Sequence, residues 1–227
     1  MRILYDNALL NQDVVLDMKL HESTLCDNGK IPDMSKYHNN ATITGAVWTP
    51  PYGYTLDGTD DLISVPSISL SSLAQFTVLG VFKTLVKADR SIFSEGHSTT
   101  DTQFFDINIT SLGYLNLFFR DNAAAHTISI QTNIDLTGAY HYFAVTQLST
   151  SSRQIYIDNA LMVNNNSIIG TITTNQTTIG ALRRITTQQY WNGIFSEILC
   201  LNTGISESTS LKYYLAAKRR LTWANLP

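Results

Sequence analysis

The sequence predicts an all-β fold, a two-sheet antiparallel sandwich with one C-terminal helix. Alternation of apolar and polar residues with a period of two recurs along the chain, as in strands with one buried face. Turn-forming pairs such as Asp57-Gly58, Thr137-Gly138 and Asn192-Gly193 lie between such segments. The alternating segments are 14–20, 76–83, 104–109, 114–119, 127–131, 141–146 and 154–157. Many short strands joined by turns are typical of a sandwich.

Two local patterns refine this prediction. Residues 155–163 read as a hairpin, because Asp158 and Asn159 tolerate the positive φ angles of a tight turn. A helix is expected to begin near Ser206, whose hydroxyl can cap its first turn, and to run toward Arg220. Its apolar residues are expected to pack on the sandwich.

Composition excludes some classes of partner. Hydrophobic residues make up 44% of the 227 residues, which is enough for a large core, and the formal net charge is −3. A chain without a basic field is not expected to bind nucleic acid. No stretch approaches the about 18 apolar residues that span a bilayer, so membrane insertion is not expected. The first twenty residues lack the apolar run of a secretory signal.

The two cysteines, Cys26 and Cys200, are too few for a disulfide-dependent scaffold of this length. We expect two free thiols, and a disulfide between them remains the alternative.

Several motifs occur in an order that resembles a known family. Residues 56–66 read Leu-Asp-Gly-Thr-Asp-Asp-Leu-Ile-Ser-Val-Pro, similar to the signature Phe-Asp-Gly-x-Asp-Asp-Tyr-Val-x-Val-Pro. Residues 140–146, 155–159 and 193–202 resemble its Trp-His-His-Val-Ala-Val-Thr, Leu-Tyr-Val-Asp-Gly and Gly-x-Ile-Asp-Glu-Val-Arg-Ile-Tyr-Asn motifs. From about Asp13 to Arg220 the chain thus resembles the laminin-G-like jelly-roll domains of the concanavalin A-like lectin and glucanase superfamily. This resemblance implies a jelly roll over residues 14–227, including the helix, preceded by an N-terminal arm over residues 1–13.

Catalysis is not expected, and no catalytic residue is assigned. A retaining glycosidase needs two carboxyl groups about 5 Å apart. None of the four glutamates, Glu22, Glu95, Glu197 and Glu207, has a second acidic residue two positions away along a strand. We expect Asp101 and Asp106, five residues apart, to lie on opposite faces of a strand.

No metal or cofactor is assigned, and calcium is the alternative that the resemblance leaves open. Related sandwiches often hold calcium through an aspartate of the last strand, and here that position is Ser196, which removes the charged ligand. Glu197 is expected to point to the opposite face. Asp60 and Asp61 form an acidic pair, which reads as a solvated turn with cation binding as the alternative.

Two clusters have the chemistry that binds sugars, namely aromatic rings beside amide or charged groups. One lies on a single strand, in which Leu115, Leu117 and Phe119 share the core face and the other residues face outward. The other precedes the last strand. The candidate ligand-binding residues are Tyr114, Asn116, Phe118, Arg120, Tyr190, Trp191 and Asn192. Structural reasons explain some of them equally well, because Trp191 fits a place between sheet and loop and Phe118 fits a second core.

Two functions follow, both non-catalytic. The first is a bacteriophage virion subunit, such as a capsid decoration, fibre or tail-associated protein. Such a subunit would be made in the host cytoplasm without a signal peptide. It would contact other virion proteins through its terminal segments. Homo-oligomer formation and glycan binding are both compatible with this role. The alternative is a carbohydrate-binding module of a microbial surface or polysaccharide-utilisation system, located extracellularly. A glycoside hydrolase ranks third.

Overall fold

The computed structural model describes residues 13–22 and 29–227. These residues form strands, one α-helix and two short 3-10 helices, Leu70–Ser72 and Thr222–Ala224. The strands and the helix are β1 Val14–Met18, β2 Lys30–Ile31, β3 Ala41–Thr44, β4 Val47–Thr49, β5 Gly53–Asp57, β6 Leu62–Val65, β7 Phe76–Thr84, β8 Arg90–His97, β9 Thr100–Ile109, β10 Leu115–Arg120, β11 Thr127–Gln131, β12 Tyr140–Ser149, β13 Ser152–Ile157, β14 Ala160–Asn165, β15 Gln176–Ile179, β16 Leu182–Arg183, β17 Thr187–Gln188, β18 Asn192–Leu201 and α1 Glu207–Arg220.

The strands form two eight-stranded sheets and one small hairpin. Sheet I has the order β14-β13-β12-β7-β18-β5-β4, and β1 pairs with the second half of β18. Sheet II has the order β11-β10-β9-β8-β15-β6-β3-β2, and β16 pairs with β17. The strand pairs are antiparallel. The predicted all-β sandwich with one C-terminal helix is therefore confirmed. Each predicted strand segment overlaps a strand, although 14–20 extends two residues past β1 and 114–119 begins one residue before β10.

The main core fills the space between the two sheets. In β9, Phe105, Ile107 and Ile109 are buried in this core, because alternate residues of a strand share a face. Sheet I supplies Phe143 and Val145 to the same core from the opposite side. Burial of these large side chains provides most of the favourable free energy of folding.

A second apolar cluster covers the outer face of sheet I. Tyr142 and Ala144 of β12 pack there with Tyr213, Tyr214 and Ala217 of α1. The predicted cap is present, since Ser206 accepts a hydrogen bond from the Thr209 amide, 3.3 Å from its Oγ. The central strands of sheet I, β7, β12 and β18, are consequently buried on both faces.

A buried ion pair attaches the end of α1 to sheet I. Arg220 Nη2 lies 2.9 and 2.8 Å from the two carboxylate oxygens of Glu197, which is 2% exposed. Lys19 Nζ is 3.9 Å from the same carboxylate. Burial by itself raises the pKa of Glu197, but the charges of Arg220 and Lys19 and the hydrogen bonds from Arg220 outweigh it and lower the pKa to about 2.

Two turns follow the sequence closely. Asp158 and Asn159 have φ angles of 49° and 71°, which confirms the predicted hairpin between β13 and β14. Gly193 has a φ of 149°, and a Cβ atom there would lie 2.0 Å from the Lys83 carbonyl oxygen. Glycine is therefore required where β18 approaches β7.

The chain ends differ in what the structure shows. At the C-terminus, Ala224 and Leu226 are buried in the second apolar cluster, so these side chains contact their own sheet. The predicted N-terminal arm lies outside the described residues except for Asp13, and Cys26 also lies outside them.

Cys200 is a buried free thiol whose pKa is raised by that burial. Among the described residues, no helix combines the length and apolar composition needed to cross a bilayer.

We expect Glu197→Gln to destabilise the fold by about 3–5 kcal/mol, because it leaves Arg220 without its buried counter-charge. Glu207→Gln, on an exposed residue in the first turn of α1, serves as the control and should cost under about 1 kcal/mol. Urea denaturation measures both values. Equal losses for the two variants would show that the buried pair does not hold the helix in place.

Candidate functional site

The outer face of sheet II carries the candidate site. Alternation turns every second residue of β9 and β10 away from the core. These outward side chains are Phe104, Asp106, Asn108, Asn116, Phe118 and Arg120. The antiparallel register opposes them in three pairs, Asn116 with Asn108, Phe118 with Asp106, and Arg120 with Phe104. This face thus brings a carboxyl group, amides, aromatic rings and a guanidinium together on adjacent strands.

Hydrogen bonds connect the polar members of this face in two groups, Ser129–Asn116–Asn108 and Ser91–Asp106. We call Ser91, Asp106, Asn108, Asn116 and Ser129 the polar strip. Asn116 Nδ2 donates to Asn108 Oδ1 at 3.0 Å, and Ser129 Oγ donates to Asn116 Oδ1 at 3.0 Å. Ser91 Oγ donates to Asp106 Oδ1 at 2.6 Å. These bonds hold the side chains of the polar strip in fixed orientations.

Asp106 is the unusual member of the polar strip. It is 2% exposed although it lies on the outer face of a sheet. Desolvation raises its pKa to about 7, against the smaller lowering effects of the Ser91 hydrogen bond and the Arg184 charge. A carboxyl group that titrates near neutrality on a sheet surface is a feature of functional sites.

Aromatic rings and guanidinium groups stack beside the polar strip. We call Phe104, Phe118, Arg120 and Arg184 the aromatic–arginine stack. The rings of Phe104 and Phe118 are parallel within 10° with centroids 5.0 Å apart. The Cζ atoms of Arg120 and Arg184 lie 4.8 and 4.7 Å from the Phe104 ring centroid. Both arginines also donate to the Asp101 carbonyl oxygen, which fixes their positions.

The segment around the β16–β17 hairpin lies against β8 beside the polar strip. Ser94 Oγ donates to the Ala181 carbonyl at 2.7 Å, and the Ser91 amide donates to the Gln189 carbonyl at 2.9 Å. A Cβ atom on Gly96 would lie 2.0 Å from the Arg183 carbonyl oxygen. This close approach brings Arg184 to the aromatic–arginine stack.

The first predicted cluster lies on this face. Leu115, Leu117 and Phe119 are in the main core as expected. Asn116, Phe118 and Arg120 belong to the polar strip or to the aromatic–arginine stack, while Tyr114 precedes β10 and is partly exposed. Whether these residues bind a ligand stays a prediction.

The second predicted cluster, before β18, has a different environment. Trp191 is 0% exposed and packs against Phe82 and Phe195, with centroid distances of 5.5 and 4.7 Å. Its indole therefore presents no surface to a ligand in this structure and fills the core. Asn192 Nδ2 donates to the Asp57 carbonyl at 2.7 Å and supports the β5–β6 turn. Tyr190 remains partly exposed.

Sequence reasoning missed Ser91, Phe104, Asn108 and Arg184, and it weighed Asp106 only as half of a glycosidase pair. The period-two pattern that identified β9 as a strand also places Phe104, Asp106 and Asn108 on one face, so part of the signal was present. The position of Arg184 beside Phe104 depends on packing between segments far apart in sequence, which no local pattern encodes.

The side chains at and next to the position of the family's calcium-binding aspartate do not fit a calcium ion. Ser196 is fully buried and its Oγ donates to the Tyr52 carbonyl at 2.7 Å. Glu197 is occupied by Arg220 and Lys19. Ser196 and Glu197 are therefore both engaged in contacts within the fold.

Asp57, Asp60 and Asp61 place carboxylate oxygens within 4.8 Å of one another at the β5–β6 turn. The Asp57 amide donates to Asp61 Oδ2 at 2.9 Å, and the Thr59 amide donates to Asp57 Oδ1 at 2.8 Å. These bonds to the turn's own backbone account for two of the three carboxylates. Asp61 is buried, which raises its pKa, so the turn is less solvated than the sequence suggested.

Comparison of sequences identifies no relative, since no family model and no curated protein matches the chain. Comparison of structures does find similar folds. The binding domain of Paraclostridial Mosquitocidal Protein 1 has a TM-score of 0.70 at 14% identity, over 91% of this chain and 53% of that one. A structure of botulinum neurotoxin type C, whose cell entry depends on interaction with two ganglioside molecules, has a TM-score of 0.70 at 15% identity, over 92% and 52%.

A third similar structure is a carbohydrate-binding module. The CBM40 of Ruminococcus gnavus IT-sialidase, bound to α2,3-sialyllactose, has a TM-score of 0.58 at 16% identity, over 64% of this chain and 85% of that one. The chain spans about half the length of the toxin structures. These likenesses show the fold, a two-sheet antiparallel sandwich, and they confirm the predicted jelly roll.

The raised pKa of Asp106 makes stability depend on pH. The ordinary value is 3.8, so between about pH 4 and about pH 7 the unfolded chain binds fewer protons than the folded one. Relative to Asp106→Asn, the wild type should therefore lose on the order of 2–4 kcal/mol as pH rises through this window. Denaturant unfolding of both proteins at the two ends of the window measures the difference. A difference that does not change with pH would show that Asp106 ionises normally.

Proposed function

We propose that this chain is a non-catalytic glycan-binding module whose site is the polar strip together with the aromatic–arginine stack. One observation carries the proposal. The buried polar groups of Asp106, Asn108 and Asn116 lie on the outer face of sheet II, where the core does not require them. They lie directly beside the partly exposed Phe118, Arg120 and Arg184. A desolvated carboxyl group costs stability, and binding a ligand is a reason for its presence.

The chemistry of this surface suits a sugar. Glycan hydroxyl groups both donate and accept, and a carboxylate with neighbouring amides offers both functions at fixed positions. The Phe104 and Phe118 rings supply an apolar surface beside these groups for the carbon–hydrogen face of a ring. Arg120 and Arg184 add guanidinium groups at the same end.

The same surface argues against glycoside hydrolysis. A second carboxyl group on the outer face of β9 would occur two residues from Asp106, and those positions hold Phe104 and Asn108. Across the strand pair, Asp106 faces Phe118 on β10 and Ser94 on β8. Asp89, in the loop before β8, is near enough to raise the pKa of Asp106, but the strand neighbours of Asp106 do not supply the second carboxyl group that hydrolysis requires.

The structural neighbours support this function over virion assembly. One is a carbohydrate-binding module bound to sialyllactose, and another is a toxin that interacts with gangliosides. Those ligands belong to those proteins, and their specificity does not transfer at this identity. None of these three structures points to a virion, so the virion function and location stay predictions, as does the laminin-G-like subfamily.

A glycan array probed with the labelled full chain tests the proposal. We expect binding to at least one glycan class. Asp106→Asn should weaken it about tenfold or more, since it removes the charge and a hydrogen bond to a charged group is worth about 1.5–3 kcal/mol. Asn116→Ala should weaken it about two- to tenfold, since a neutral hydrogen bond is worth about 0.5–1.5 kcal/mol. Asp60→Asn, the same chemical change on the exposed β5–β6 turn, is the matched control and should bind as the wild type does.

Two outcomes would contradict the proposal. One is the absence of binding across a broad array, and the other is binding that survives both polar-strip variants. Thermal melts of each variant identify any loss of binding that comes from unfolding.

A further inference from the structure

One end of the outer face of sheet I is only partly covered. The register places Tyr140 of β12 opposite Lys83 of β7, and Lys83 opposite Ile194 of β18. All three residues are partly exposed. Two residues away along the same strands, Tyr142 and Val81 are paired with each other and buried in the second apolar cluster. The cover of sheet I therefore ends at this row of residues.

Three aromatic rings and one cation meet at this row. We call Tyr52, Lys83, Tyr140 and Trp223 the aromatic–lysine patch. Trp223 follows α1, and its ring is nearly perpendicular to those of Tyr52 and Tyr140, with centroids 5.1 and 5.2 Å away. The Tyr52 and Tyr140 rings lie within 21° of parallel, with centroids 6.3 Å apart. Lys83 Nζ is 5.5 Å from the Tyr140 ring centroid.

The backbone holds Tyr52 in the patch. Ser196 Oγ donates to the Tyr52 carbonyl at 2.7 Å, and the Tyr52 amide donates to the Thr49 carbonyl at 2.8 Å. A Cβ atom on the next residue, Gly53, would lie 2.0 Å from the Phe195 carbonyl oxygen, so β5 approaches β18 as closely as glycine allows. The patch is thus preformed, and a preformed site loses little conformational entropy on binding.

The patch has polar groups that the fold does not use. The Tyr140 hydroxyl, the Trp223 indole N–H and the Lys83 ammonium have no hydrogen-bond partner among the described residues, and none of these three groups is buried away from solvent. Lys83 also forms no ion pair within the described part of the chain, whereas Lys19 and Lys87 do. Indole and ammonium groups can only donate. The complementary group on a ligand is therefore an acceptor, and a carboxylate also matches the charge of Lys83.

Tyr140 adds a third donor to this set. Burial, together with the neighbouring Tyr52, raises the pKa of Tyr140 to about 12. Its hydroxyl consequently keeps its proton at neutral pH and can donate to the same ligand.

The ring faces determine the rest of the ligand. Tyr52 is 38% exposed, so an aromatic surface is open beside the donors. Aromatic side chains combine an apolar face with a polar tip, which suits the carbon–hydrogen face and the hydroxyls of a sugar ring. A neutral sugar would leave the charge of Lys83 unmatched, and a small carboxylate without a ring would leave the aromatic faces unused.

We propose that the aromatic–lysine patch binds an acidic sugar, whose ring packs on Tyr52 and Trp223 and whose carboxylate accepts from Lys83. The patch lies on the opposite sheet from the polar strip and does not depend on glycan binding there.

Titration of the isotope-labelled full chain with sodium glucuronate and with sodium N-acetylneuraminate, followed by NMR, tests the inference. We expect saturable shifts of the Trp223 indole N–H signal with at least one of these acids, and a dissociation constant in the millimolar range. Glucose, which lacks the carboxylate, should bind tenfold or more weakly. The indole nitrogens of Trp48 and Trp191 are buried, so their N–H signals serve as internal references. Sodium chloride at the same concentrations corrects for ionic strength.

Substitutions in the patch separate the cation from the rings. Lys83→Met removes the charge at a similar side-chain length, and Tyr52→Ala removes the most exposed ring, so each should weaken binding of the acid tenfold or more. Lys36→Met and Tyr37→Ala are the matched controls, because Lys36 Nζ lies 5.1 Å from the Tyr37 ring centroid in another exposed lysine–tyrosine pair. Both controls should bind as the wild type does, and thermal melts of every variant identify losses that come from unfolding.

Three outcomes would overturn the inference. The Trp223 signal would not move with either acid into the tens of millimolar, glucose would bind as tightly as the acids, or Lys83→Met would bind as the wild type does. A response to only one of the two acids supports the inference and distinguishes uronic acids from sialic acids as the source. Loss of array binding in Asn116→Ala with an unchanged Trp223 response would separate this site from the polar strip.

Discussion

The central strands of sheet I are buried on both faces, and this burial determines where the sandwich can present side chains to a ligand. The inner face of sheet I meets the main core, and its outer face meets α1. The Glu197–Arg220 pair fixes the end of α1 against β18, so α1 cannot shift relative to sheet I without separating two buried charges. Sheet II has no such helix among the described residues. Its outer face is covered in part by the segment around the β16–β17 hairpin, and Phe118 and Arg120 remain partly exposed beside that segment.

The polar strip is difficult to explain by stability alone. Solvent-facing strand positions tolerate many residues at little cost, and β-branched polar residues such as threonine suit them best. Here Asp106 is nearly fully buried, and its raised pKa shows that the surroundings oppose its charge. The linked amides of Asn108 and Asn116 restrict the strip further. Positions where the fold accepts a local cost are the positions where function is expected.

Local patterns in the sequence predict the elements, and long-range packing decides the site. The alternation of 104–109 and 114–119, the Asp158-Asn159 turn and the Ser206 cap each depend on neighbouring residues, so each could be predicted. The same patterns could not distinguish a buried tryptophan from an exposed one, and Trp191 fills the core. They also could not place Arg184 against Phe104, because that contact depends on a hairpin folding over β8. The sequence shows that Ser196 lacks a charged calcium ligand, but only the structure shows that its Oγ donates to the Tyr52 carbonyl.

Asp106 connects the stability of the fold to the proposed function. A sugar hydroxyl that donates to its carboxylate stabilises the ionised form, so a bound ligand lowers the pKa of Asp106 toward its ordinary range. The same interaction offsets the stability that the free protein loses as pH rises, because a ligand that binds only the folded state stabilises that state. Ionisation of Asp106 thus weakens the empty fold and improves the acceptor that the ligand needs. Replacement by asparagine should separate these effects, since an amide keeps an acceptor for Ser91 but cannot carry the charge.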